Sequence, residues 1–98
     1  MASSLNSAMF LIESRMNDAA TGDAQACYDL GIAYSSGGGG VDIDLVQAHK
    51  WFNLAALNGD DRAPECRAEI AWDMTAREIA EAQRDARAWL GATVRRAA

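Results

Sequence analysis

Few residues in this 98-residue chain are of kinds that do chemistry, and their spacing decides most of the candidates. His49 is the single histidine, which excludes a histidine-based metal cluster. As a general base, or as activator of a thiol, it would need a carboxylate or a cysteine turned toward it. It stands beside Lys50 and one turn before Asn53, at a position that reads as the outer side of an apolar helix. Cys27 and Cys66 lack the close spacing of a metal or redox pair and read as free thiols within helices. A disulfide between them requires Cα atoms within about 7 Å. Carboxylates pair at Asp42/Asp44, Asp60/Asp61 and Glu78/Glu81. Capping explains the first two pairs, and Glu81 with Asp85 suits Arg84 and Arg87 along a wet helical face. A calcium loop would need further oxygen ligands and a closing glutamate, which Gln47 and His49 do not supply. Gly37 to Gly40 suggest a phosphate loop, but no strand precedes them and no Lys-Ser or Lys-Thr follows. They read as a turn needing positive φ at one or more positions. No catalytic residue, cofactor site or metal site is expected.

With chemistry set aside, composition bounds the rest. Net charge is −5, from 9 basic and 14 acidic side chains, so the chain repels phosphate backbones and no nucleic-acid partner is expected. Arg95 and Arg96 read as a solvated terminus. No run approaches the ~18 apolar residues of a membrane span. Met9-Phe10-Leu11-Ile12 is too short for a signal-peptide core and no basic region precedes it. A soluble, acidic, cytoplasmic protein of one domain is expected, with no membrane partner. Half of the residues are hydrophobic, alanine is abundant and β-branched residues are sparse, which favours an all-α fold.

Five helices follow from periodicity and end signals. Leu5, Met9, Ile12 and Met16 share one face of a helix over residues 5–19, with Ser3 or Ser4 as its cap. Gly22 stops it, and Asp23 caps a second helix over 24–35 whose packing face is Cys27, Leu30, Gly31 and Tyr34. Gly31 inside a helix makes sense where a neighbour crosses closely and a large ring fills the missing side chain's space. Val41 then tucks back under the hairpin. Asp44 caps a third helix over 45–57, with Ala48, Trp51, Phe52 and Ala55 in its apolar stripe. Asp60 or Asp61 restarts a fourth helix with Pro64 in its first turn and Ala68, Ala71 and Trp72 facing the stack. Thr75 and Glu78 form a capping box for a fifth helix over 76–90, closed by Gly91 and followed by a frayed tail. Its buried face is Ile79, Ala82, Ala86, Trp89 and Leu90.

The two halves echo each other. Ile32-Ala33-Tyr34 recurs as Ile70-Ala71-Trp72, and Ala48 with Trp51-Phe52 recurs as Ala86 with Trp89-Leu90, 38 positions on. Such an echo marks stacked helix hairpins, each too small to bury its own apolar face. The residues Gly22-Asp23-Ala24-Gln25-Ala26, Leu30 to Tyr34, Gly37 to Val41, Asp44, Ala48, Trp51-Phe52, Ala55-Ala56 and Gly59-Asp60 resemble the Sel-one-like repeat family, relatives of tetratricopeptide repeats. The resemblance covers one complete repeat. Residues 60–90, with Met74-Thr75, Ala82-Gln83 and a final Ala-x-x-Trp helix, resemble the closing unit often found in bacterial members. That unit departs from the pattern in having Glu69 where Gly31 stood and no glycine loop.

The resemblance implies an all-α, tetratricopeptide-like α-α superhelix, a short α-solenoid of about five antiparallel helices. It implies protein–protein interaction, as adaptor or scaffold, with no shared catalytic residue. The chain then divides into a capping helix (1–20), a complete repeat (21–59) and a divergent capping repeat (60–98). The first helix of each hairpin lines the concave side in such superhelices. Its positions outside the core are Gln25, Asp29, Ile32 and Ser36, then Arg67, Ile70 and Asp73, expected to hold a peptide or helix of another protein. A homodimer through Leu5, Met9, Ile12 and Met16 is one alternative, and a small enzyme or metal binder around His49 is the other. Trp51, Trp72 and Trp89 are spaced as core knobs; one found exposed becomes the leading interface residue.

Overall fold

The computed structural model describes the backbone of residues 3–97 and the side chains from residue 10 to residue 94. It is an all-α superhelix of five helices: α1 (Ser3–Ala20), α2 (Ala24–Ser36), α3 (Leu45–Leu57), α4 (Ala63–Ala71) and α5 (Ala76–Ala97). A short 3-10 turn (Gly38–Gly40) follows α2, and no strand occurs among the described residues. The dimer-face residues Leu5 and Met9, the caps Ser3 and Ser4, and the Arg95-Arg96 pair have side chains outside the described set.

Local chemistry sets the helix ends. The Asp23 carboxylate accepts from the Ala26 amide at 3.0 Å, and that of Asp44 accepts from Gln47 at 3.1 Å. Thr75 and Glu78 cap each other reciprocally, at 2.8 and 3.1 Å. At the end of α2, Gly37 adopts φ 78° and its amide donates to the Ala33 carbonyl at 2.8 Å. Gly39 and Gly40 are also left-handed, so the glycine run is a turn, and the Asp44 amide closes it by donating to the Tyr34 carbonyl at 2.9 Å.

The core is centred on α3. Trp51, Phe52, Leu54, Ala48 and Ala55 are all buried, together with Cys27 and Leu30 of α2, Ala63 of α4 and Ala86 of α5. A Cβ on Gly31 would lie 2.5 Å from the Phe52 ring, so the ring occupies the space left by the absent side chain. Trp51 and Trp89 meet edge to face at 4.8 Å between centroids, joining α3 to α5 in a contact that aromatic quadrupoles favour. The Lys50 ammonium lies 4.6 Å from the Trp51 ring centre and 5.2 Å from that of Trp89.

Several expectations are corrected. Trp72 and Ala68 lie outside the stack, exposed to solvent, while Ala63, Cys66 and Ile70 face it. The buried positions Cys27, Leu30 and Tyr34 of α2 thus recur 36 positions on, as Ala63, Cys66 and Ile70, and not 38. The spacing of 38 holds only for the second helices, through Ala48/Ala86 and Trp51/Trp89. Gly91 does not end α5, which continues to Ala97; beyond the glycine, half-buried Thr93 donates to the Trp89 and Leu90 carbonyls. His49 is buried and not on an outer face. Neither Asp60 nor Asp61 caps α4; Asp60 accepts from the Arg62 amide at 2.9 Å, and Arg62 is the residue at the cap position. Among the described residues, Arg84 and Arg87 form no ion pair with Glu81 or Asp85.

Candidate functional site

The outer face of α2 carries Gln25, Asp29, Ile32 and Ser36. The cap at Asp23 fixes its start, and burial of Cys27, Leu30 and Gly31 turns these four away from the core. Gln25 donates to the Asp29 carboxylate at 2.9 Å, and Ser36 donates to the Ile32 carbonyl at 2.8 Å. Arg15 of α1 reaches Asp29 at 3.2 Å. α1 therefore lies beside this face and walls a groove of about 270 Å³. Asp29, Ile32 and Ser36 line it from α2, and Leu11, Ile12 and Arg15 from α1, with Ala33 and the glycine turn below. Ile32 is 39% exposed and Leu11 51%, so the floor and one wall offer apolar surface to solvent. The Arg15–Asp29 pair lies at the rim. Leu11 and Arg15 escaped sequence reasoning, which gives Ile12 to a dimer face instead, because nothing in α2 records which helix packs beside it.

The α4 candidates separate from this set. Arg67 turns toward α3 and donates to the Asn53 side chain at 2.6 Å. Ile70 packs against the core. Asp73 is exposed just beyond the helix end. A polar seam links α2 to α4 instead. Arg62 donates to Asp60 at 2.6 Å and to Gln25 at 2.8 Å, and its guanidinium stacks 3.8 Å from the Tyr28 ring centre. Hydrogen bonding from Arg62 holds the Asp60 carboxyl below the usual carboxylate range. The Cys66 sulfur lies 4.0 Å from the Tyr28 hydroxyl.

The remaining reactive side chains are built into packing. Both cysteines are free, and burial pushes the Cys27 thiol up to about 11, which keeps it protonated and unreactive. His49 is 5% exposed, with no partner for Nδ1. Burial, then the Arg67 charge, lowers its pKa. Among the described residues no three histidine, cysteine, aspartate or glutamate side chains gather as a metal set. No helix among them is long and apolar enough to cross a membrane.

Comparison with family models matches residues 24–60 to the Sel1 repeat. No curated protein and no solved structure gave a match. The matched segment begins with the first residue of α2, includes the glycine turn and α3 with its Trp51-Phe52 core, and ends in the Gly59-Asp60 turn. Residues 24–60 therefore match a Sel1 repeat, set within a chain that is helical on both sides of it.

Proposed function

We propose that this protein is a small cytoplasmic adaptor that holds an apolar segment of another protein, a peptide or a helix, on the concave face formed by α1 and α2. Sel1 repeats in general mediate contacts between proteins and are not catalytic. The observation that carries the reading is the groove between α1 and α2, where Ile32 and Leu11 present side chains to solvent beside the Arg15–Asp29 pair. An apolar floor with a charged rim is the anatomy of a recognition surface. Asp29, Ile32 and Ser36 are its contact residues, with Gln25 beside them on the same face of α2; of the α4 positions nominated above, Arg67 and Ile70 turn inward and only Asp73 is exposed. Residues 1–20 serve as a cap that also walls the groove, 21–59 as the repeat, and 60–98 as the closing unit. The acidic balance supports a protein partner over a nucleic acid, and the two free thiols support a reducing compartment.

A random-peptide library selected against the whole protein tests this reading. Enriched peptides are expected to share an apolar anchor and to bind the Ile32→Asp variant at least ~10-fold more weakly, the loss typical of an interface anchor. Peptides that bind this variant unchanged overturn it. Self-association is the competing outcome. Ile12 and Met16, half of its expected face, pack against the chain's own core. Light scattering that finds a dimer broken by Leu11→Asp would favour it nonetheless.

A further inference from the structure

The outer face of α4 carries an unpartnered tryptophan among carboxylates. Glu65, Ala68, Glu69 and Trp72 are all exposed and fall at the steps of three and four that place residues on one side of a helix. Trp72 is 90% exposed, an unusual state for the largest apolar side chain in a chain of this size. Asp73 follows it, also exposed. Among the described residues no ion pair involves Glu65, Glu69 or Asp73. The 36-residue correspondence of the first helices gives this face a meaning. Asp29, Ile32, Ala33 and Ser36 of α2 map onto Glu65, Ala68, Glu69 and Trp72 of α4. The face is thus the second-unit counterpart of the α2 groove face. Arg62, just before α4, reaches Gln25, and Cys66 lies near the Tyr28 hydroxyl, so side chains of the two helices meet there.

We infer that this α4 face docks a basic segment of the partner protein, with an arginine or lysine side chain stacked on the Trp72 indole and flanked by Glu65, Glu69 and Asp73. An indole face attracts a cation, and the exposed carboxylates of Glu69 one turn before it, Glu65 two turns before it and Asp73 next to it in sequence add negative charge to the same end of α4. The α4 C-terminus adds partial negative charge at the same end. Charge selects the occupant. A second copy of this chain, at net −5, would bring like charge to the face, and nucleic acids and anionic membranes would do the same. The inference extends the adaptor reading by naming the partner's chemistry, and it relocates the α4 contribution from Arg67 and Ile70 to Trp72.

The test uses the whole protein and two synthetic helical peptides of alanine and arginine, identical except that the second carries citrulline, uncharged and of the same shape, in place of arginine. Affinity is read by anisotropy, and the Trp72 indole N–H resonance, assigned by its loss in Trp72→Phe, reports contact. The arginine peptide is expected to shift that resonance and to bind at least ~10-fold tighter than the citrulline peptide at low salt, with the advantage shrinking as salt rises. Trp72→Ala and the Glu65→Gln/Glu69→Gln double variant are each expected to weaken it several-fold. Both alter outward side chains, and far-UV circular dichroism confirms that they fold. Equal binding of the two peptides, or arginine-peptide affinity unmoved in Trp72→Ala, overturns the inference. Ile32→Asp separates it from the groove reading. If selected apolar peptides are lost in Ile32→Asp while Trp72→Ala changes nothing, the groove stands and this inference falls. If the arginine peptide depends on Trp72 while no selected peptide depends on Ile32, the reverse holds. A dimer in light scattering broken by Trp72→Ala also overturns it, in favour of a second copy.

Discussion

A buried imidazole without a partner for Nδ1 makes His49 sensitive to pH. Desolvation disfavours its charged form first, and the Arg67 guanidinium then repels it, so its folded pKa lies below the usual 6.5. The unfolded chain takes up a proton near pH 6.5 while the folded chain does not. The contribution to stability is therefore complete above that value and declines as pH falls from there toward the folded pKa. The expected slope in this window is at most about 1.4 kcal/mol per pH unit. Urea denaturation of the wild type at about pH 7.5 and about pH 5.5, beside His49→Leu, checks it. The wild type is expected to lose stability at the lower pH and His49→Leu to lose less, because leucine carries no proton. At neutral pH the substitution should be close to neutral, since it also removes the unpaired Nδ1. Equal acid sensitivity in both proteins would refute the assignment. The sequence placed this histidine on a wet face because Lys50 and Asn53 flank it. Lys50 in fact lays its stem between helices toward two indoles, and Asn53 receives Arg67, so polar neighbours in sequence did not mean an outward side chain.

The helices were legible wherever their end signals are chemical: Asp23, Asp44, Gly37, and the Thr75/Glu78 box each do locally what their residue types allow. Gly31 shows the same legibility in packing. Its substitution by alanine sets a gain in helix propensity, up to ~1 kcal/mol, against a Cβ pressed onto a buried ring. Overpacking typically costs ~1–3 kcal/mol. Phe52 is walled in by the core and cannot swing away freely, so the clash wins. Gly31→Ala is expected to destabilise by about 1–2 kcal/mol in chemical denaturation. Combining it with Phe52→Leu should cost less than the two single losses together, because the smaller side chain relieves the contact. Additive losses would mean that the ring and the glycine are not coupled. The rotation of α4 was not legible. Its apolar residues are few, Ala63, Ala68, Ile70, Ala71 and Trp72 with Cys66, and they do not select one stripe. The echo of Ala-Tyr in Ala-Trp outweighed the weaker pattern Ala63, Cys66, Ile70 that the core uses. The end of α5 was misread for a related reason. Gly91 is a stop signal only where it adopts a left-handed conformation, and here it does not, so the helix runs on through Thr93.

Stacked repeats behave as one-dimensional arrays in which each unit contacts only its neighbours, so long ones unfold in stages. Here the segment matching a Sel1 repeat is flanked by α1 and by α4 and α5, and its second helix, α3, serves the seams with α2, α4 and α5, while α1 packs on α2. Trp51 meets Trp89 of α5, Phe52 fills Gly31 and tilts against Tyr28 of α2, and Asn53 binds Arg67 of α4. The ends of α1 and α5 line a cleft with Leu54 and Asn58 of α3, and α1 otherwise packs on α2. None of α2, α4 and α5 can leave without opening the surface of α3, α1 cannot leave without opening α2, and a hairpin that loses its neighbour cannot bury its own face. The whole molecule is therefore expected to unfold as a single two-state unit. Far-UV circular dichroism, which follows all five helices, and tryptophan fluorescence, dominated in its change by Trp51 and Trp89, should give one coincident urea transition with a slope of ~1 kcal/mol per M. Trp89→Ala removes the α5 anchor and is expected to shift both curves together by about 2–4 kcal/mol, near the range for aromatic truncation of a packed contact. If fluorescence instead moved first while most helicity remained, α4 and α5 would be a separable cap. The shared role assigned to α3 would then be wrong.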